Sequence, residues 1–441
     1  MKINDSTAKE IKGAVSAARE AQENWYGLGF KGRTKILSKI YSKFTERKEE
    51  LAHLETEQMG MPINQSLGDI DFGLNYFKWY LENSEKYLMP ETTFEDNESV
   101  HTVYYEPIGV AAVISPWNFP FSNFIWGVIP NLIVGNTVVH KHSEECTSFG
   151  KKLEEVIKTA GLTDGVFSEI YGGPKAGDAL VHQDIDIICF TGSTKVGQYL
   201  YRVAAEKMIK IVLELGGSAP GILFQDADMK SSLDTIYSNR FSNCGQICDG
   251  LKRLVVQRPI FNETVEKIKE IVESKKLGNP EDKNTDIGPL VSEKQIKTLE
   301  LQVKDAVAKG AKIIIGGKRA NLKGYYYSPT ILVNVKPNMR VWKEEVFGPV
   351  LPVISFNSEK EAVELANDTV YGLGAYVFTK DKEKASRVAK HIRTGMVGIN
   401  NANYAIPNNP FVGHKRSGIG SEHGKYGLRE LCQIKVIAME K

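Results

Sequence analysis

Ile185-Asp186-Ile187-Ile188-Cys189-Phe190-Thr191-Gly192-Ser193-Thr194 carries an apolar run straight into a turn of small residues. A stretch with helical spacing, 194–205, follows, and then a second apolar run, 209–213. Strand, helix and strand in this order form a βαβ unit, whose crossover helix brings the second strand back parallel to the first. Both runs are nearly continuous in Ile, Val and Leu, as expected of strands covered on both faces.

The alternation extends in both directions. Upstream, strands are expected at 110–114, 137–140 and 165–170, with helices at 121–134, 148–160 and 175–181. Downstream a second series offers strands at 253–257, 312–315, 351–356, 375–379 and 396–400. Helices at 262–275, 293–309, 359–367 and 382–391 separate them. Before residue 87 the chain reads as helical, with one long charged helix over 33–60 and another over 67–87. Val100, Thr102 and Tyr104 alternate with His101, Val103 and Tyr105 in a period of two that Pro107 ends, and 433–439 reads as another strand. The fold class is therefore α/β: two α/β domains and a third, small β element. The divisions drawn are 1–97 with 108–215, then 216–405, then 98–107 with 427–441, leaving 406–426 as a connecting segment.

Composition excludes several function classes. The 441 residues are 42% hydrophobic and 25% charged, and 56 basic against 54 acidic residues give a formal charge of +2. The signs are interleaved, so no polyanion such as nucleic acid is expected as a partner. The apolar window 124–139 is broken by Gly127, Pro130, Asn131, Gly135 and Asn136, and would leave backbone groups unpaired in lipid, so no membrane partner is expected either. Met1 to Trp25 lacks the apolar core of a signal peptide, and five scattered cysteines suit a reducing cytoplasm. His140 and His142 flank Lys141 as on a strand, with no further ligand near them in sequence, so no metal is expected.

Four constellations can carry chemistry. Phe190-Thr191-Gly192-Ser193-Thr194-Lys195-Val196-Gly197 sits where a helix begins, and backbone N–H groups with the helix dipole favour a phosphate there. Cys248, in Phe241-Ser242-Asn243-Cys244-Gly245-Gln246-Ile247-Cys248, can be a thiol nucleophile or an inert buried cysteine. Glu214, in Leu213-Glu214-Leu215-Gly216-Gly217, can be a buried base toward water or a salt-bridged strand end. Asn118, in Ser115-Pro116-Trp117-Asn118-Phe119-Pro120, can donate to an oxyanion or lie in a packed turn.

Taken together and in order, Pro-Trp-Asn-Phe-Pro, Phe-Thr-Gly-Ser-Thr-x-x-Gly, Leu-Glu-Leu-Gly-Gly, Gly-Gln-x-Cys and Glu-x-Phe-Gly-Pro resemble the aldehyde dehydrogenase superfamily. The likeness spans about residues 9–439, although relatives usually begin with an extra stretch before the first helix. It implies a Rossmann-like cofactor domain, an α/β catalytic domain, and a β element used to form a homodimer or homotetramer. The activity implied is NAD(P)-dependent oxidation of an aldehyde to its acid. Cys248 would be the nucleophile, Asn118 the oxyanion donor with the Cys248 backbone N–H, and Glu214 the base that activates water. Lys141 and Glu144 match the pair at the adenine ribose. Gly192 and Ser193 match the pyrophosphate turn, and Glu345 with Phe347 matches the nicotinamide ribose side. Ile114, Ser115 and Trp117 would line the cofactor cleft. Glu144 could accept both ribose hydroxyls but repel a 2′-phosphate, which favours NAD, with NADP possible. Retention of Glu214 favours hydrolysis over transfer to coenzyme A.

Three positions depart from the pattern. Asp249 follows the nucleophile where a small or apolar residue is usual; it should raise the thiol pKa and favour polar or cationic aldehydes, or else be a solvated surface carboxylate. Cys244, four residues before Cys248, would share a helix face with it as a core residue or a redox partner. Trp126 stands where the succinic semialdehyde enzymes carry a substrate-binding arginine. The tail from Lys415-Arg416-Ser417 nevertheless resembles a short bacterial group of those enzymes, and Lys415 or Arg416 could supply the missing charge. Succinic semialdehyde is thus the alternative substrate. A non-catalytic relative and an esterase are the alternatives in class.

Overall fold

The computed structural model describes residues 3–441; residues 1 and 2, with which the expected first domain opens, lie outside the described residues. The βαβ unit is formed by strand Ile187–Thr191, helix Thr194–Lys207 and strand Lys210–Glu214, the two strands parallel. The helix starts at Ser193 because its Oγ accepts the Val196 N–H, satisfying one of the four donors a helix N-terminus leaves open. Six strands make this sheet, in spatial order Gly418–Ile419, Lys210–Glu214, Ile187–Thr191, Val110–Ile114, Thr137–Lys141 and Phe167–Ile170. One core on this sheet gathers Trp25, Leu37, Phe44, Phe77 and most of helix Pro120–Val134, and another gathers Ile11, Val15, Leu180 and Leu200.

A seven-stranded sheet follows, ordered Lys312–Ile315, Thr330–Val333, Val350–Phe356, Leu251–Gln257, Ala219–Leu223, Tyr376–Phe378 and Gly398–Ile399. Its third-from-last strand escapes sequence reading because Pro220 and Gly221 mark a turn rather than a central strand. A register shift between Ala219 and Pro220 absorbs the proline. Helix Met229–Phe241 was equally hidden, since Ser231, Ser232, Thr235 and Ser238 dilute its apolar spacing.

Three expectations need correction. The helix expected over 33–60 is two, Gly29–Glu46 and Lys48–Met59, because Arg47 leaves helical geometry at φ −106° and ψ 18°. The small sheet has a third strand, Glu91–Glu95, outside the range 98–107; its exposed residues, with Phe94 its one large apolar side chain, carry no strand pattern. Ser99–Pro107 is consequently the middle strand, paired with Cys432–Glu440 from Pro107↔Cys432 to Ser99↔Glu440, and only the C-terminal strand of that pair is an edge. The segment 406–426 does more than connect: Gly418–Ile419 pairs antiparallel with Lys210–Glu214. Among the described residues no helix is long and apolar enough to cross a membrane.

Candidate active site

Cys248 follows a strained turn. Helix Met229–Phe241 stops at Ser242, and Asn243, Cys244 and Gly245 then take φ values of 48°, 52° and 72°. Three successive left-handed residues persist only where their surroundings hold them. Here the Asn243 N–H donates to Gln65 Oε1 (2.7 Å), Gln246 Nε2 to the Asn243 carbonyl (3.1 Å), and the buried Arg240 to the carbonyls of Gly245 and Val346. A Cβ at Gly245 would lie 2.4 Å from the Gly348 carbonyl oxygen, so glycine is required. The turn ends any shared helix face for Cys244 and Cys248. Cys244 packs in the core around the seven-stranded sheet, whereas Cys248 packs beside Leu373, Met396 and Phe411.

Across the cleft, Asn118 Nδ2 donates to the Gln246 carbonyl (3.1 Å) and the Asn118 carbonyl accepts from Asn243 Nδ2 (2.6 Å), so the two asparagines tie the loops together. Cys248 and Asn118 open into a cleft of about 790 Å³ that also reaches Trp117, Gly192, Ser193, Gly216, Glu345 and Phe347. Glu345 accepts from the Gly217 N–H (3.1 Å) and pairs with buried Lys252; Phe347 meets Trp117 edge-on at 5.5 Å. A Cβ at Gly216 would fall 2.4 Å from Glu345 Oε2, so the backbone there is pared down beside the carboxylate. Ile114, Ser115, Lys141, Glu144 and Glu214 do not border this cleft. The Ser115 hydroxyl turns inward to His140, and Lys141 Nζ lies 3.7 Å from the half-exposed Glu144 carboxylate.

The carboxylates set the electrostatics. Glu214 ends its strand almost fully buried, with neither oxygen hydrogen-bonded. Burial, Glu422 and Asp249 push its pKa well above the carboxylate range. Burial pushes Glu422 up to about 7. Burial and then Asp249, 3.9 Å from Sγ, push the Cys248 thiol up, while Lys252 pulls it down.

The sequence pattern of the aldehyde dehydrogenase family matches residues 1–437. The chain belongs to the aldehyde dehydrogenase family. It is 35% identical to a probable succinate-semialdehyde dehydrogenase (NADP(+)) of Sinorhizobium fredii, over 99% of this chain and 90% of that one. It is 38% identical to a betaine aldehyde dehydrogenase of Bacillus subtilis, over 98% and 90%. A betaine aldehyde dehydrogenase structure from Staphylococcus aureus in complex with NAD+ superposes with a TM-score of 0.95 at 34% identity, covering 99% of this chain and 88% of that chain. The protein is thus an NAD(P)-dependent enzyme that oxidises aldehydes.

In this aldehyde dehydrogenase the arm of the cleft beyond Cys248 is walled by Phe72, Phe119, Trp126, Ile247 and Phe411, with Asp249 the charged group beside the thiol. Trp126 packs against Phe72, Tyr76, Phe411 and His423 with ring centroids 4.5 to 5.9 Å apart. Asp249 Oδ2 accepts from Tyr404 OH (3.0 Å), whose oxygen is 3.0 Å from Tyr376 OH. Lys415 and Arg416 do not border the cleft, and Lys415 Nζ instead donates to the carbonyls of Asn367 and Thr369. Lys252, Tyr404 and Glu422 escaped sequence reading. The first was one more basic residue in a strand, and the other two lie at least 156 residues beyond Cys248. The histidine pair also differs from expectation. His140 and His142 do share one face of their strand, but Glu169 reaches both from the neighbouring strand, paired opposite His140.

Proposed function

We propose that this enzyme oxidises a polar or cationic aldehyde through a thioester on Cys248 that water, activated by Glu214, then opens. The observation that supports the substrate class is Asp249, a carboxylate 3.9 Å from the Cys248 sulfur at the foot of an aromatic-walled arm. Aromatic faces and a carboxylate together attract an ammonium group, and a carboxylate repels the acid end of a dicarboxylic semialdehyde.

The Cys248 thiolate adds to the carbonyl carbon, forming a C–S bond and leaving negative charge on the carbonyl oxygen. Asn118 Nδ2 and the Cys248 N–H are the donors for that oxygen. NAD(P), when bound, supplies the acceptor for the hydride that leaves the same carbon. Cys248 then holds the acyl group as a thioester. Glu214 takes a proton from water as the water oxygen attacks, the C–S bond breaks, and the acid departs from a restored thiolate.

The cleft residues fit the dinucleotide. Ser193 opens a 14-residue helix whose N-terminal N–H groups suit the pyrophosphate, Glu345 suits ribose hydroxyls beside the close-approaching Gly216, and Phe347 and Trp117 offer apolar faces. Lys141 and Glu144 would hold the adenine ribose, and the Glu144 carboxylate favours NAD over NADP.

The test is turnover of a panel holding succinic semialdehyde, propionaldehyde and an aminoaldehyde by the parent and by Asp249→Asn. The aminoaldehyde should lead in the parent, and the variant should lose on the order of tenfold in its kcat/KM, the scale of one weak ion pair. An unchanged ranking in Asp249→Asn would remove Asp249 from substrate choice. A second reading, a semialdehyde carrying a carboxylate, is favoured by the succinate-semialdehyde relatives; a parent preference for succinic semialdehyde would establish it.

We further propose that copies associate through the C-terminal strand Cys432–Glu440, whose outer edge is free and whose Ile434, Val436 and Met439 are at least 60% exposed. Light scattering should give a dimer or tetramer, and Val436→Asp should shift it toward monomer; a monomeric parent would end that reading.

A further inference from the structure

Glu169, His140 and His142 form a buried polar cluster inside the first sheet, in which only His142 Nε2 lacks a partner among the described residues. Glu169 Oε2 lies 2.6 Å from His140 Nδ1, and Oε1 lies 3.1 Å from His142 Nδ1 and accepts the His142 backbone N–H at 3.0 Å. All three side chains are buried under Phe124, Phe149 and Phe167. The packing leaves no slack, since a Cβ at Gly150 would lie 2.7 Å from His142 Nδ1.

Hydrogen-bond chemistry fixes the direction of this chain. Burial would raise Glu169, but the two imidazoles outweigh it and hold the carboxyl at about 2, so both oxygens only accept. Both Nδ1 atoms therefore carry their protons. Burial pushes His140 down to about 4, leaving it neutral with a bare Nε2. That nitrogen is 2.9 Å from Ser115 Oγ, so the serine hydroxyl donates to it. Carboxylate, imidazole and hydroxyl in a row are also the parts of a hydrolase triad. Ser115, however, is only 5% exposed and its hydroxyl faces the core, so the row has no access to a substrate.

What the row touches is the framework of the cofactor cleft. Ser115 opens the loop that brings Trp117 and Asn118 to the cleft, and its N–H donates to the Lys141 carbonyl. Lys141 lies between the two histidines, and its Nζ donates to the His142 carbonyl at 2.9 Å. We infer that Glu169 is a positioning residue for the dinucleotide: through His140 it holds Ser115 and the loop bearing Trp117, and through His142 it holds the end of the strand at Lys141 and the turn that follows it with Glu144. This rests on the cofactor reading given above. A glutamine at 169 would turn an amide N–H toward one of the two Nδ1–H groups, and no water could enter to repair the clash.

The experiment is calorimetric titration of NAD into the parent, Glu169→Gln, Ser115→Ala and the double variant, with no aldehyde present. Glu169→Gln should weaken NAD about tenfold, and Ser115→Ala by a smaller factor. The double variant should bind within about twofold of Glu169→Gln, because the serine's bond is already lost. Hydrolysis of an activated ester by Cys248, which needs no dinucleotide, should stay within about twofold in Glu169→Gln, because Asn118 is held separately by its hydrogen bonds to Gln246 and Asn243. Should that variant fail to fold, His140→Asn with Ser115→Ala runs the same cycle. Additive losses, unchanged NAD affinity in folded variants, or ester hydrolysis falling in parallel would each overturn the inference. One equivalent of zinc kept by the parent and lost from Glu169→Gln would overturn it too, by making the three groups metal ligands. A parent that binds no NAD would sink the cofactor reading instead.

Discussion

Replacing Cys248 with alanine should abolish aldehyde-dependent NADH formation, with kcat falling by at least roughly 10⁴-fold. No other thiol can substitute. Cys146, Cys189, Cys244 and Cys432 are all buried, and burial pushes Cys189, Cys244 and Cys432 up to about 12. Cys248 is itself pushed up by burial and Asp249, so the parent's rate of alkylation by iodoacetamide should climb with pH. Asp249→Asn should move that climb to lower pH, while removal of the Lys252 charge should move it higher, because the cation opposes the shift. Retained turnover in Cys248→Ala would transfer the chemistry to another group and end the thioester mechanism.

Glu214→Gln should separate the two halves of the reaction. In the proposed mechanism acylation does not use this carboxylate, so the variant should still release about one NADH per site in a first burst, whereas steady-state turnover should fall by roughly 10²–10⁴. Loss of the burst together with turnover would place Glu214 in acylation. The pH dependence follows from the same surroundings. Only the ionised form of Glu214 can take a proton from water, and burial, Glu422 and Asp249 all raise its pKa. Deacylation should therefore increase with pH, through a midpoint well above the ordinary carboxylate value. Glu422→Gln removes one of the raising charges and should shift that midpoint down.

Much of this was legible because burial writes itself into sequence. The strands Val110–Ile114 and Lys312–Ile315 and the helices Glu359–Asn367 and Lys382–His391 stand within the bounds that apolar spacing suggests. Strand Ala219–Leu223 was not legible because a bulge accommodates its proline, and Glu91–Glu95 because its exposed residues show no apolar alternation. In the site, Cys248, Asn118, Trp117, Gly192, Ser193, Glu345 and Phe347 come from four distant stretches to one cleft, and motif order pointed to them. Tyr404 beside Asp249 and Glu422 near Glu214 carry no local signature; only the closure of the tail onto the sheet brings them near. The separation of Cys244 from Cys248 was lost for another reason. Helical spacing was assumed where Asn243 and Cys244 adopt positive φ, a conformation that propensity does not anticipate.

The antiparallel pairing of Gly418–Ile419 with Lys210–Glu214 has a consequence for how the enzyme comes into being. The Leu215 N–H donates to the Ser417 carbonyl, Ser417 Oγ to the Gly216 carbonyl, and Cys432–Glu440 zips onto Ser99–Pro107 more than three hundred positions earlier. A ribosome delivers residue 214 long before residue 417, at about 5–20 residues per second. The six-stranded sheet must therefore wait, on the order of ten seconds or more, with one edge bare while the small sheet is short of a strand. Nascent chains stalled before the last 25 or so residues have left the exit tunnel carry every residue of the catalytic loop and still cannot close the wall behind Glu214.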